Sequence, residues 1–307
     1  MDTQPHIPVI VITGFLGSGK TTFLNHLLRS DWGRGQTIAL IINEFGTLNV
    51  DGALVDGGGR PLYEINRGSL FCACTKMEVW KILTTLTRTP PDLVIIEATG
   101  VAVPTEFSSL IDSPLLAGRF STQAIVGLVD AHHFLTIAPN MRAARQQVMA
   151  ADGLIINKVD LADSADLDAL PGVLAKLNPR APRITARNAA VDPRWVMSLE
   201  HHSVDNAPAQ APPEAIFTVT VEVDGGGDQK AFDTWLDTYA DHILRLKGTA
   251  DFGDGLVFVE RAGRDMVYTR HLPNRALSEK GRTAICVIGT GVPKERLEAD
   301  LKSVFLV

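Results

Sequence analysis

The chain has 307 residues, 45% of them hydrophobic and 21% charged, and a formal net charge of −6. That is the make-up of an ordinary globular protein with room for two domains, and its acidic balance argues against nucleic acid or an anionic membrane as partner. No apolar run reaches the length of a membrane span, no basic stretch followed by a long apolar one opens the chain, and three cysteines make no disulfide framework, so a reducing cytoplasm is the expected setting.

The first expected strand, residues 8–13, contains the β-branched run Val9-Ile10-Val11-Ile12. Gly14-Phe15-Leu16-Gly17-Ser18-Gly19-Lys20-Thr21 follows and fits the phosphate-loop pattern G-x-x-x-x-G-K-[ST]. Thr22 then opens a segment whose apolar residues Phe23, Leu24, Leu27 and Leu28 fall at helical spacing. Strand, glycine turn and helix N-terminus together aim backbone N–H groups at phosphate oxygens. In that geometry Lys20 reaches the β- and γ-phosphates and the Thr21 hydroxyl meets Mg²⁺. Gly14, Gly17, Ser18, Gly19, Lys20, Thr21 and Thr22 are the expected phosphate contacts. The plainer alternative is a glycine-rich turn before an ordinary helix.

A second strand is expected at 37–42 and a third at 93–97, where Leu93-Val94-Ile95-Ile96 ends in Glu97. Glu97 fits the acid that holds Mg²⁺ through water; a capping acid at a strand end is the alternative. Gly100 lets backbone approach the γ-phosphate. The strand at 125–130 also ends in an acid, Asp130, read as structural or switch-linked. A strand at 153–157 runs into Asn157-Lys158-Val159-Asp160, the N-K-x-D pattern of guanine-reading sites. A carboxylate there accepts from N1–H and the exocyclic amine of guanine, donors that adenine does not present, so Asn157, Lys158 and Asp160 favour GTP over ATP. A short strand at 183–185 completes the alternation, which predicts a mainly parallel sheet with helices on both faces and ligands at the strand C-termini.

The proline-rich stretch 203–213 reads as a linker between a P-loop NTPase domain at 1–202 and a small α+β domain at 214–307. In the second domain a strand is expected at 216–223, a helix at 229–246, strands at 255–260, 266–269 and 283–288, and a last helix at 293–304. His132-His133 reads as a solvated turn and Glu200-His201-His202 as an exposed helix end with weak metal capture as the alternative; Cys286 reads as core.

The order of these features resembles the CobW family of P-loop GTPases. The resemblance is carried by Thr13–Thr22, by Ile42-Asn43-Glu44-Phe45-Gly46 with Val50-Asp51-Gly52-Ala53-Leu54, and by Glu97-Ala98-Thr99-Gly100. The guanine motif and Leu244-Arg245-Leu246-Lys247-Gly248, similar to the family's R-x-K-G turn, complete it. It implies a slow GTPase that uses GTP and Mg²⁺ in metal trafficking or metallocentre assembly, joined to a CobW-type C-terminal domain. The family's G-C-x-C-C signature is altered here: on Gly68, its first two cysteines align with Ser69 and Phe71, only Cys72 is kept, and Cys74 is offset. Cys72 and Cys74 are soft ligands suited to zinc, with cobalt and nickel open, or they are inert thiols packed between switch loops and sheet. Glu44, Asp51, His132, His133, a second copy of the chain in a homo-oligomer or a metal-receiving client protein would supply further ligands. Asp51 is the candidate to orient the attacking water. The alternative function is a GTP-dependent switch that binds a client without carrying metal.

Overall fold

The computed structural model describes residues 6–33, 35–44, 62–66, 73–113, 116, 118–202, 216–262, 265–269 and 282–305. The chain divides into two units. The described elements of the first are β1 (Ile7–Gly14), α1 (Lys20–Arg29), β2 (Ile38–Glu44), β3 (Leu62–Asn66), α2 (Ala73–Leu86), β4 (Leu93–Glu97) and α3 (Thr105–Ile111), continued by β5 (Phe120–Asp130), α4 (Phe134–Ile137), α5 (Arg142–Ala150), β6 (Gly153–Asn157), α6 (Ser164–Leu177), β7 (Arg183–Thr185) and α7 (Pro193–Met197).

Its seven strands lie in the order β3-β2-β4-β1-β5-β6-β7, and the pairs from β2 to β7 are all parallel. β1 shows why the sheet needs cover on both sides. Ile10 and Ile12 pack on one face with Phe23, Leu24 and Leu27 of α1, while Val9 and Val11 pack on the other with Val79, Leu83, Phe107 and Ile111. A strand with apolar residues at every position has no face to give to water, as is usual in parallel sheets. The register aligns Ile12 with Glu97 across β1 and β4, and Asp130 with Asn157 across β5 and β6. The C-terminal ends carrying the candidate chemistry are therefore neighbours.

The second unit contains β8 (Ile216–Val223), α8 (Gln229–Thr238), β9 (Ile243–Asp251), β10 (Leu256–Ala262), β11 (Asp265–Thr269), β12 (Thr283–Thr290) and α9 (Lys294–Phe305). Its strands run β11-β10-β9-β12-β8 with antiparallel pairing throughout. One face holds Val219, Val221, Leu246, Ala250, Ile285 and Val287 against Phe232, Trp235 and Leu236 of α8 and Leu297 and Leu301 of α9.

Two expectations are corrected here. The helix expected over 229–246 stops at Thr238, and Ile243 and Leu246, which had matched helical spacing, are core residues of β9. Leu244-Arg245-Leu246-Lys247-Gly248 is consequently strand rather than turn. Paired on both sides, by β10 and β12, β9 satisfies its backbone through two ladders, and that outweighs a local periodicity. β3 was not expected at all. Among the described residues no helix is long and apolar enough to cross a membrane.

Candidate functional site

The phosphate-loop string occupies the bend between β1 and α1. Gly14, Gly17 and Gly19 all have positive φ, and Gly19 (φ 101°) is the residue that hands the loop to the helix. A Cβ built there would stand 2.4 Å from Asn157 Nδ2, so glycine is required by conformation and by space. Lys20 opens α1 and is buried; its ammonium donates to the carbonyls of Gly14 at 2.8 Å and Phe15 at 3.1 Å. The cation thus sits inside the curve of the loop. The Ser18 hydroxyl, also buried, has no hydrogen-bond partner among the described residues. Thr22 is exposed on the first turn of α1.

One residue beyond Lys20, the Thr21 hydroxyl donates to Glu97 Oε1 at 2.8 Å. Glu97 is 5% exposed at the end of β4. A hydroxyl and a carboxylate meeting at one point are two hard oxygen donors, the donor set Mg²⁺ prefers when it also contacts phosphates. Gly100 lies close against the loop: a Cβ there would come within 2.7 Å of the Leu16 backbone nitrogen.

The N-K-V-D string follows β6. The side-chain nitrogen of Asn157 donates to the Ser18 carbonyl at 2.9 Å, and its oxygen accepts from the Ala189 N–H at 2.8 Å. One buried amide therefore links the phosphate loop to the segment after β7, where Asn188 and Ala189 are left-handed. Ala189 carried no signal in the sequence, because its contribution is a backbone N–H. Lys158, left-handed at φ 61°, places its ammonium 2.8 Å from Asp130 Oδ2. Asp160 is exposed, three residues past the strand end.

Asp130 turns out to be the counter-ion of the second motif residue. Its carboxylate also accepts from the His132 backbone N–H at 3.0 Å and contacts His133 Nδ1 at 3.2 Å. Burial pushes this carboxyl up, but the His133 hydrogen bond and the Lys158 charge outweigh that and hold it below its ordinary value. His133 is accordingly no solvated turn residue, its side chain being 16% exposed. Glu200-His201-His202 lies beyond the end of α7 rather than on a helix; Glu200 and His202 are exposed as expected, but His201 Nδ1 lies 2.8 Å from buried Asp152 and the His202 N–H bonds the same carboxylate. In both places a buried acid recruits a nearby histidine, because an acid taken from water needs donors.

The metal candidates divide differently. Cys72 and Asp51 lie outside the described residues. Cys74 is the second residue of α2. Cys286 is buried in β12, as read from the sequence. Among the described residues no group of three or more His, Cys, Asp or Glu side chains is arranged to hold a metal.

Comparison with known proteins agrees with this geometry. Residues 8–185 match the family model described as "CobW/HypB/UreG, nucleotide-binding domain", and residues 216–305 match "Cobalamin synthesis protein cobW C-terminal domain". The chain is 30% identical to the zinc chaperone CobW of a Sinorhizobium species over 293 residues, 81% of this chain and 82% of that protein. It is 28% identical to the zinc chaperone YjiA of Escherichia coli over 316 residues, 95% of this chain and 97% of that one. Among solved structures, Zn(II)-bound YjiA GTPase from E. coli is similar at 25% identity and a TM-score of 0.49, covering 98% of this chain and 99% of that one. With residues 8–185 and 216–305 both matched, the chain belongs to the CobW/HypB/UreG family.

Proposed function

We propose that this protein binds and hydrolyses GTP with Mg²⁺ and uses the cycle to deliver a metal ion, zinc, to a client protein in the cytoplasm. The observation that carries the nucleotide half is the Asn157–Ser18 hydrogen bond, which ties the guanine motif to the phosphate loop in one site. The metal half rests on the relatives' chaperone role and on the Cys72/Cys74 pair.

The residues divide the work. Lys20 exchanges the carbonyls of Gly14 and Phe15 for oxygens of the terminal phosphates, which the loop amides and the α1 N-terminus also bind. Thr21 and Glu97 would hold Mg²⁺, which when bound neutralises charge on the phosphate tail. Asp160 accepts the two guanine donors, while Asn157 keeps the strand end and the loop in register. Asp51 is proposed to orient water. With no arginine assigned to the γ-phosphoryl group, turnover is expected to be slow without a partner. Segment 43–74, which starts at the end of β2 and reaches the cysteine pair, is the proposed link between phosphate state and cargo. Ordering of such a segment by the γ-phosphate, followed by release on hydrolysis, is a known form of switching.

The altered cysteine motif favours one second reading, a GTP-dependent switch that binds its client without carrying metal. Zinc affinity by chelator competition, with GTP–Mg²⁺ against GDP–Mg²⁺, separates the two. The carrier reading expects nucleotide-dependent affinity that is lost in Cys72→Ser/Cys74→Ser; weak binding that ignores both nucleotide and cysteines gives the case to the second reading.

A further inference from the structure

Gln147 is a buried polar residue on α5 that none of the roles above uses, 1% exposed beneath the sheet. Its amide nitrogen donates to the carbonyls of Gly100 and Ala102, each at 3.1 Å. Both partners are acceptors, so only the nitrogen can face them and the orientation of the amide is settled. Its oxygen, Oε1, is buried and has no partner among the described residues. A buried acceptor left idle in a native state calls for an account.

The position of those two carbonyls supplies it. Gly100 and Ala102 lie between Glu97, which meets Thr21, and α3. On one side Gly100 presses against Leu16 of the phosphate loop. On the other it is held by Gln147. A small cavity is lined by Leu16, Leu128, Asp130, Phe134 and Gln147. A peptide flip that turned an N–H of this segment toward α5 would meet the unused Oε1. From α5 the chain passes through Asp152 straight into β6 and Asn157.

We propose that Gln147 is a positioning residue for segment 98–104: its amide holds the segment's carbonyls in the arrangement described and accepts an N–H instead when a terminal phosphate draws Gly100 inward. The state of the phosphates then reaches α5, and through it the strand that carries the guanine motif. This rests on the nucleotide reading of the site.

The test compares full-length wild type with Gln147→Leu, which keeps the volume and removes both hydrogen-bonding roles. Fluorescent GDP and a non-hydrolysable GTP analogue are titrated with Mg²⁺, and single-turnover hydrolysis is followed. Expected are GDP affinity within about twofold of wild type, analogue affinity weakened about tenfold, and hydrolysis slowed in proportion. Equal weakening of both nucleotides would mean a merely structural glutamine and would overturn the proposal, as would no change in either. Wild type that binds neither guanine nucleotide would instead defeat the underlying reading. If the variant does not fold, hydrogen exchange on wild type decides: amides of 98–104 and of α5 should change protection together between the two nucleotides, and an α5 indifferent to them sinks the idea.

Discussion

The side-chain amide of Asn157 donates to the carbonyl of Ser18, 139 positions earlier in the chain, at 2.9 Å while accepting from the Ala189 N–H. Both ends of that amide are buried, so neither can be replaced by water at low cost. The first prediction follows from this. Asn157→Ala should weaken GDP binding by at least about tenfold and lower stability by about 2 kcal/mol, because a buried Ala189 donor and a Ser18 acceptor lose their partners. Isothermal titration and a urea melt measure the two effects; an unchanged affinity would show that the base-side arm is not held by this amide.

Thr21 and Glu97 should act as one unit. Glu97→Gln keeps the shape and a hydrogen bond to Thr21 but removes the charge. Mg²⁺-dependent tightening of GTP binding should therefore fall about tenfold or more, whereas binding without Mg²⁺ should change little. The check is a GTP titration with and without the metal, and a loss seen equally in both would assign Glu97 a structural part only.

The Asp130–Lys158–His133 cluster makes a prediction with a definite sign. The folded pKa of Asp130 lies below the ordinary carboxylate value, so its stabilising contribution is fully present above the unfolded value and is lost as pH falls through the folded one. The stability gap between wild type and Asp130→Asn should be level from neutral pH to about 4 and close with further acidification. Acid titrations of the two proteins would expose an error as a gap that widens on the acid side. At neutral pH the variant should also bind GDP more weakly, since Lys158 would lose its counter-ion.

His201 has the opposite sign. Its hydrogen bond to Asp152 raises its pKa against the effect of burial, and the charges of Asp152 and Asp112 add to the rise. That contribution is fully present below the unfolded value of about 6.5 and disappears as pH rises through the folded one. Wild type should therefore exceed His201→Asn in Tm most clearly near pH 5.5 and converge with it on the alkaline side. Thermal melts across that range measure it, and a constant difference would assign the effect to packing.

The phosphate loop, Glu97 at the end of β4 and the N-K-V-D string at the end of β6 were legible because each pairs a short apolar run with residue types that chemistry restricts. What the sequence hid falls into two kinds. Ala189 and the Ser18 carbonyl act through backbone atoms, which any residue supplies. Asp130, His133 and His201 derive their roles from side-chain partners 3 to 49 positions away, and residue type alone does not reveal that a carboxylate will be buried. In the second unit the error had another source: Ile243 and Leu246 satisfied a helical period by coincidence, and only pairing with β10 and β12 decided for a strand.

The strand order has a consequence for the birth of the chain. β1 is made before the two strands that flank it, β4 and β5, and its two backbone edges cannot both be paired until β5 has emerged. During synthesis at about 5–20 residues per second, that leaves Val9 to Ile12 without lateral partners for many seconds. A strand unpaired for so long is a template for adhesion between nascent chains.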